Sequence, residues 1–411
     1  MKIAAIITEY NPFHKGHAYQ IEMTKSSLNA DYVIVIMSGM FTQRGIPAIY
    51  DKYTRASMAL LGGADLVIEL PTAYATASAE FFSMGGVYIT DNLGVVDTLV
   101  FGSECDDINK LKEIATILAD EPASFSATLK NNLESGLSFP KARELALIDE
   151  LGIDILDIIT KPNNILGIEY IKALYKAKSS IQPVSIKRNT SSHNSLSINE
   201  TFSSSAAVRN ALIDLSGQCM LDIFPISKAL PEYSANLILD LFNSGICPLF
   251  RNDFSQFLHY KLLDSSRVGF CDYFDVSKEL SDKIINKLSG FSDYDSFVDL
   301  LKTKEITHSR ISRALLHILL NIKITDLSRP EYATLLGFKK ESSEVLNLIK
   351  KNSSIPLISK NANYSSILSD NPNAIKMFET DIFAYDIYES ALMHKCGTHK
   401  KNLMQQSPVI L

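Results

Sequence analysis

The sequence predicts an α/β protein in two parts: a doubly wound, parallel-sheet domain over residues 1–212 and a mainly α-helical domain over 213–411. Three observations predict this division. Short apolar runs alternate with helix-length stretches through the first hundred residues, a stretch rich in Ser, Asn and Thr at 189–205 interrupts the rhythm, and only helical periods recur beyond it. A chain of 411 residues is also long enough to divide, because single cores stop growing at roughly 250–300 residues.

The runs at 3–8, 32–37, 65–70 and 98–101 are short, rich in β-branched residues and bounded by turn formers, as buried strands of a parallel sheet require. Residues 16–28 and 50–61 fit crossover helices, and 108–120 follows the fourth strand. A helix at 165–177 and a strand at 181–187 complete the first part. The second part reads as helices at 235–243, 254–263, 276–288, 294–302, 310–322 and 342–350, with no βαβ rhythm and no repeat of fixed period.

Lys and Arg total 40 against 46 Asp and Glu, and the net charge of −6 speaks against nucleic acid, whose binding usually leaves a basic footprint. The distribution along the chain reverses that implication. Residues 301–360 carry eleven Lys and Arg against five acids, a net +6 that leaves −12 for the remainder. Lys302, Lys304, Arg310 and Arg313 head this stretch, and the i, i+3 spacing of the two arginines suits a phosphate backbone. Solvated basic surface is the plainer alternative. The five cysteines are scattered without CxxC or Cys/His spacing, so neither a disulfide framework nor a zinc site is expected. No apolar run approaches the roughly 18 residues of a membrane span. The start of the chain lacks the pattern of a secretory signal, so a cytoplasmic protein with no membrane partner is expected.

The strongest chemical signal is Asn11-Pro12-Phe13-His14-Lys15-Gly16-His17, between the first strand and the first helix. Asn-Pro ends the strand, Gly16 permits close approach of backbone to a ligand, and the helix start offers free N–H groups to an anion. Two histidines three residues apart can either donate to phosphate or simply satisfy the turn; the end of the first strand in such a sheet, where ligands bind, favours phosphate.

This HxGH sequence resembles the signature of the nucleotidyltransferase superfamily, and Ser204-Ser205-Ala206-Ala207-Val208-Arg209 resembles its distal phosphate motif, with Ala206 in place of a threonine. A closer resemblance runs through the 6–17 segment, Met37-Ser38-Gly39, Gln43-Arg44-Gly45, Pro47-Ala48, the 51–55 and 63–71 segments, Phe101-Gly102-Ser103-Glu104 and the 162–170 segment. Together these blocks are similar to the bacterial tRNA(Met) cytidine acetate ligase family. The resemblance implies a Rossmann-like nucleotidyltransferase domain and a helical tRNA-binding domain. It also implies an enzyme that forms acetyl-adenylate from ATP and acetate, with Mg2+ on the phosphates. The acetyl group would then pass to N4 of the wobble cytidine, position 34, of elongator tRNA(Met), giving N4-acetylcytidine.

The resemblance further implies an ATP site made of Ile7, Thr8, Glu9, Tyr10, Asn11, Pro12, Phe13, His14, Lys15, Gly16, His17, Ala18, Tyr19 and Gln20, with Gly102, Asn163, Arg188, Ser204 and Ser205. His14, Lys15, His17 and Arg209 would be the catalytic cations and donors. Gly102 would leave room for a nucleoside where a Cβ would intrude, Asn163 could serve as ligand contact or helix N-cap, and Lys187 could share the phosphate role of Arg188. Asp51, Lys52 and Arg55 line an entrance or form a solvated helix start. Glu104 and Asp106 are exposed acids or metal ligands, and no metal-binding residue is assigned. His193 is the remaining histidine of this half, in the polar loop. The competing readings are a small-molecule nucleotidyltransferase releasing pyrophosphate and a tRNA-binding protein with a relic nucleotide site.

Overall fold

The computed structural model describes residues 1–188, 204–215, 224–303 and 306–411. Its strands are β1 (Ile3–Thr8), β2 (Tyr32–Ser38), β3 (Phe41–Thr42), β4 (Ile46–Pro47), β5 (Leu66–Leu70), β6 (Thr98–Ser103), β7 (Gln182–Lys187), β8 (Ala333–Phe338), β9 (Leu357–Ile358) and β10 (Val409–Ile410). The main sheet runs β7-β6-β1-β2-β5-β8-β10, with β9 also on β8, while β3 and β4 form a separate hairpin.

From β7 to β5 every pairing is parallel, and β1 aligns Ile3 with Tyr32 through to Thr8 with Met37. The chain builds outward from β1 through β2 to β5, then crosses back to place β6 and β7 on the other flank. That reversal opens a crevice at the carboxyl ends of β1 and β6, the place where doubly wound sheets bind ligands. The apolar runs become strands because both faces are covered: Ile3, Ala5, Ile7, Leu99 and Phe101 pack in one layer, and Ala4, Ile6, Val33, Val35 and Val100 in the other.

The first-half strands and helices that the periodicity picks out are present, and the helix Ile108–Asp120 matches at both ends, but the periodicity does not pick out the helices Ala79–Asn92, Ala123–Glu134 and Phe139–Leu151. The second half is mainly helical, as expected, but it also contributes strands that the sequence does not suggest. β8, β9 and β10 return to the sheet, and β8 lies antiparallel to β5 with a shift in register at Val67 and Ile68. Ala-Thr-Leu-Leu-Gly-Phe is a six-residue run almost wholly buried, and such a run carries no period that tells a strand from a connector.

The helix Pro372–Cys396 ties the halves together. Ala374, Met377 and Phe378 join the sheet core, whereas Ala384, Tyr385, Tyr388 and Leu392 join the core of the helical part with Phe254, Phe297 and Leu315.

Candidate active site

Four helices begin around one cavity of about 300 Å3 at the carboxyl ends of β1 and β6: Lys15–Leu28, Ala79–Asn92, Pro162–Ala177 and Ser205–Leu215. Each helix start brings a partial positive charge, so their convergence favours an anion.

His14 caps the first of these helices. Its Nδ1 accepts the Gly16 N–H at 3.1 Å, and its own N–H donates to His17 Nδ1 at 3.2 Å, so the rings stack with centroids 3.6 Å apart. With both Nδ1 atoms accepting, the neutral rings carry their protons on Nε2, which makes each a donor of the kind a phosphate oxygen requires. Burial, then His14 and Arg188, hold His17 well below the ordinary histidine pKa, so it is neutral at pH 7. Tyr10, at φ 46° in the left-handed region that side chains seldom adopt, wedges its ring between Phe13 and His17 at 4.8 and 4.6 Å.

Two arginines stand on the wall. Arg209 Nη1 donates to the Asn11 carbonyl at 2.6 Å, and burial pushes its pKa down to about 10, against the pull of Glu9; it remains charged. Ser204 accepts the Ala207 N–H at 3.1 Å, capping the helix that carries Arg209. Arg188 donates to Asn163 Oδ1 at 3.2 Å, and Asn163 is itself held by Glu104, whose Oε1 accepts its Nδ2 at 2.6 Å. Burial lowers the Arg188 pKa and Glu104 partly restores it.

Of the expected ATP residues, Ile7, Thr8, Glu9, Tyr10, Asn11, His14, His17, Gln20, Gly102, Asn163, Arg188, Ser204 and Ser205 line the cavity, as does Arg209. Pro12, Phe13, Lys15, Gly16, Ala18 and Tyr19 do not. His14, His17 and Gln20 recur every three residues on one helix face, which turns the residues between them away. Phe13 is buried near Tyr233, and the Lys15 N–H bonds the Ala229 carbonyl at 3.0 Å.

Several individual expectations need correction. The space left by Gly102 is taken by the stem of Arg188, whose Cγ would lie 3.0 Å from a Cβ there. Asn163 is not an N-cap: Lys161 holds that position, and the Glu104 carboxylate satisfies the N–H groups of Asn163 and Asn164 at 3.3 and 3.0 Å. Glu104 is thereby engaged with the helix start, and Asp106 accepts the Ser185 hydroxyl at 2.9 Å. Lys187 is exposed and off the cavity wall. Lys52 and Arg55 are neither entrance nor solvated helix start, since both are fully buried; Asp51 caps their helix through the N–H groups of Tyr53 and Thr54.

Reading by motif missed Gln43, Arg44, Ala79, Phe82, Phe101, Pro162, Ile165, Leu166 and Tyr170, which complete the lining, and Ala206 joins them. Apart from Arg44 and Gln43 these are mainly apolar. Their signal was diffuse, because each belongs to an ordinary core pattern. In the basic stretch, Lys302 and Arg310 are exposed, whereas Arg313 is bound to Asp275 at 2.7 Å; Lys304, like His193, lies outside the described residues. Among the described residues no three His, Cys, Asp or Glu side chains converge as a metal site, and Glu9 is the one carboxylate on the described wall. Mg2+ would therefore come with a nucleotide's phosphates rather than sit in a cage of its own.

A doubly wound sheet whose first strand delivers HxGH to such a cavity defines a nucleotidyltransferase-type protein, and the model of the family described as HIGH Nucleotidyl Transferase matches residues 1–404. The tRNA(Met) cytidine acetate ligase of Caldanaerobacter subterraneus subsp. tengcongensis is 40% identical over 395 residues, covering 95% of this chain and 96% of that protein. That of Clostridium kluyveri is 42% identical over 379 residues, 88% of this chain and 91% of its own. Crystal structures of Thermotoga maritima TmcAL superpose over the full length of both chains at 30% identity, with TM-scores of 0.94 for the apo form and 0.91 for the form bound with alpha-thio ATP. The chain belongs to the HIGH nucleotidyl transferase family and, within it, to the tRNA(Met) cytidine acetate ligases.

Proposed function

We propose that this protein is an ATP-dependent acetate ligase that forms acetyl-adenylate and transfers the acetyl group to N4 of the wobble cytidine of elongator tRNA(Met). The observation that carries the reading is the convergence of His14, His17, Arg188, Arg209 and the Ser204-capped helix on one cavity in a member of this family. In the first step an acetate oxygen attacks the α-phosphorus of ATP, the bond to the bridging oxygen breaks, and its electron pair leaves with pyrophosphate. Two anions must approach, so the main requirement is fixed positive charge and donors, which the Nε2–H groups of His14 and His17, the two guanidiniums and the helix starts supply. In the second step the exocyclic amine attacks the acetyl carbonyl, AMP departs and the nitrogen loses a proton.

The apolar and aromatic lining residues Phe82, Phe101, Leu166 and Tyr170 support an activated acyl group by limiting water. Lys302 and Arg310 are exposed and suit the tRNA backbone, in keeping with residues 213–411 as a tRNA-holding part. Among the described residues no helix is long and apolar enough to cross a membrane, which fits a cytoplasmic enzyme. Incubation with ATP, labelled acetate and unmodified tRNA(Met) tests the reading. Label at position 34, identified as N4-acetylcytidine by mass spectrometry, is expected. Pyrophosphate release that ignores acetate would instead favour a small-molecule nucleotidyltransferase.

A further inference from the structure

The second step of the proposed reaction needs a proton acceptor. As the exocyclic amine of cytosine adds to the acetyl carbonyl, its nitrogen gains positive charge and must give up a proton, or the amine rather than AMP is expelled again. His14 and His17 do not suit that task, because the Nδ1 of each already accepts a backbone N–H and the Nε2 of each carries the ring proton. Arg188 and Arg209 are cations. Glu9 is the one carboxylate on the described wall of the cavity.

Glu9 directly follows β1, and both its backbone and its side chain are held. Its carbonyl accepts Arg55 Nη1 at 2.7 Å, and the same nitrogen reaches the Ser38 carbonyl at 3.0 Å, at the end of β2. Its Oε1 accepts the Gln43 N–H at 2.8 Å. The hairpin that carries Gln43 is itself seated: Gly45 lies at φ 69°, and a Cβ there would overlap the backbone of Ser312 and Arg313 in the helix His308–Leu319. A carboxylate fixed at one oxygen presents the other in a set direction. The charge of Glu9 is felt by two lining groups. It favours the charged form of Arg209 and disfavours ionisation of the buried Tyr170 phenol. Arg209 suits the phosphoryl end of an acyl-adenylate, and Tyr170, with the Phe101 ring centred 5.9 Å away, suits its acyl end. Glu9 therefore lies near the groups that fit both ends of the mixed anhydride.

We propose that Glu9 is a further catalytic residue, the general base that takes the N4 proton as the acetyl group is transferred to cytidine. The proposal rests on the acetate-ligase reading for the step it serves. The N4 lone pair forms the bond to the acetyl carbon, the bond from that carbon to the phosphate oxygen breaks, and its electron pair leaves with AMP. The proton passes from N4 to Glu9 Oε2, the oxygen not engaged by Gln43, and from there to solvent. Attack of the acetate anion on ATP releases no proton, so the first step makes no use of a base.

The test uses the full chain, with thermal melting to check each variant's fold. Glu9→Gln keeps an oxygen for the Gln43 N–H but cannot take up the proton. Single-turnover transfer from synthetic acetyl-adenylate to unmodified tRNA(Met) is expected to fall about 100-fold in this variant, the loss typical of a general base. That fall should exceed by about tenfold or more any change in acetate-dependent exchange of pyrophosphate into ATP, which reads the first step. In Glu9→Ala, added formate should raise transfer about tenfold by supplying a carboxylate, and no rise counts against the assignment; this variant decides alone should Glu9→Gln not fold. Transfer within about threefold of wild type in Glu9→Gln would overturn the proposal, as would equal losses in exchange and transfer. So would a loss repaired by raising Mg2+, which would make Glu9 a metal contact. If the wild type shows no acetate-dependent exchange, the ligase reading fails. If wild-type exchange and transfer are both present and Glu9→Gln transfers as fast, the Glu9 assignment fails by itself.

Discussion

Two pairs of buried cations lie within the same part of this molecule and do different work. Lys52 and Arg55 are wholly enclosed, and their donors end on the protein: Lys52 Nζ on Glu69 at 2.6 Å, Arg55 on the carbonyls of Tyr50, Glu9, Ser38 and Gly39. Arg55 thereby ties together the chain just beyond β1 and the end of β2. Arg188 and Arg209 are half-buried at the cavity, and among the described residues each side chain makes a single hydrogen bond, to Asn163 and Asn11 respectively. A guanidinium has five N–H donors, so the second pair keeps most of its capacity for a ligand whereas the first has committed it to the fold. Burial separates the two pairs, and the destination of the donors says why.

Substitution at each pair separates the two roles. Arg209→Met is expected to lower the rate of acetyl-adenylate formation by about 100- to 1000-fold, as loss of a preorganised donor does, with little change in the urea midpoint. If the midpoint falls by as much as for a core variant, Arg209 belongs with Arg55. Lys52→Met should behave in the opposite way. It leaves Glu69 buried without its partner, at a cost of about 3–5 kcal/mol in unfolding free energy. Burial is the largest influence and opposes the Lys52 charge, but Glu69, Tyr53 and Asp381 together outweigh it and raise the pKa, so the pair is intact at neutral pH.

A smaller effect concerns pH. His17 titrates well below its unfolded value near 6.5, so on acidification the unfolded chain takes up a proton that the folded chain refuses, and stability falls as pH drops below about 6.5. Above that pH the residue is neutral in both states and contributes no slope. His17→Gln should therefore narrow the difference in urea stability between pH 5.5 and 7.5; an unchanged difference would mean that the ring titrates normally. The smallest effect is at the surface. Arg310→Gln should weaken tRNA binding a few-fold and reduce the salt slope by about one, whereas Arg313→Met should act on stability through Asp275, and equal effects on tRNA from both would remove the distinction.

These contrasts mark what was legible in the sequence. Strands β1, β2, β5, β6 and β7 could be read from apolar runs, and the HxGH segment from its place after β1. Which residues of that segment face the ligand depended on helix phase, so His14, His17 and Gln20 separate from Lys15, Ala18 and Tyr19 only in three dimensions. Lys52 and Arg55 looked like surface charge because no local pattern announces that Glu69 and four carbonyls will enclose them. Arg44 stood in a block recognisable by resemblance, and its closeness to the end of β2 was the available clue. β8 was invisible because a fully buried six-residue run has no period, and the exchange of Glu104, Asn163 and Arg188 links residues 59 and 25 positions apart.

The central claim, that the cavity activates acetate on ATP, is tested most directly by exchange of labelled pyrophosphate into ATP without tRNA. Exchange that requires acetate is expected in the wild type, with loss of exchange in His17→Ala. Exchange independent of acetate, or as fast in His17→Ala as in the wild type, would contradict it.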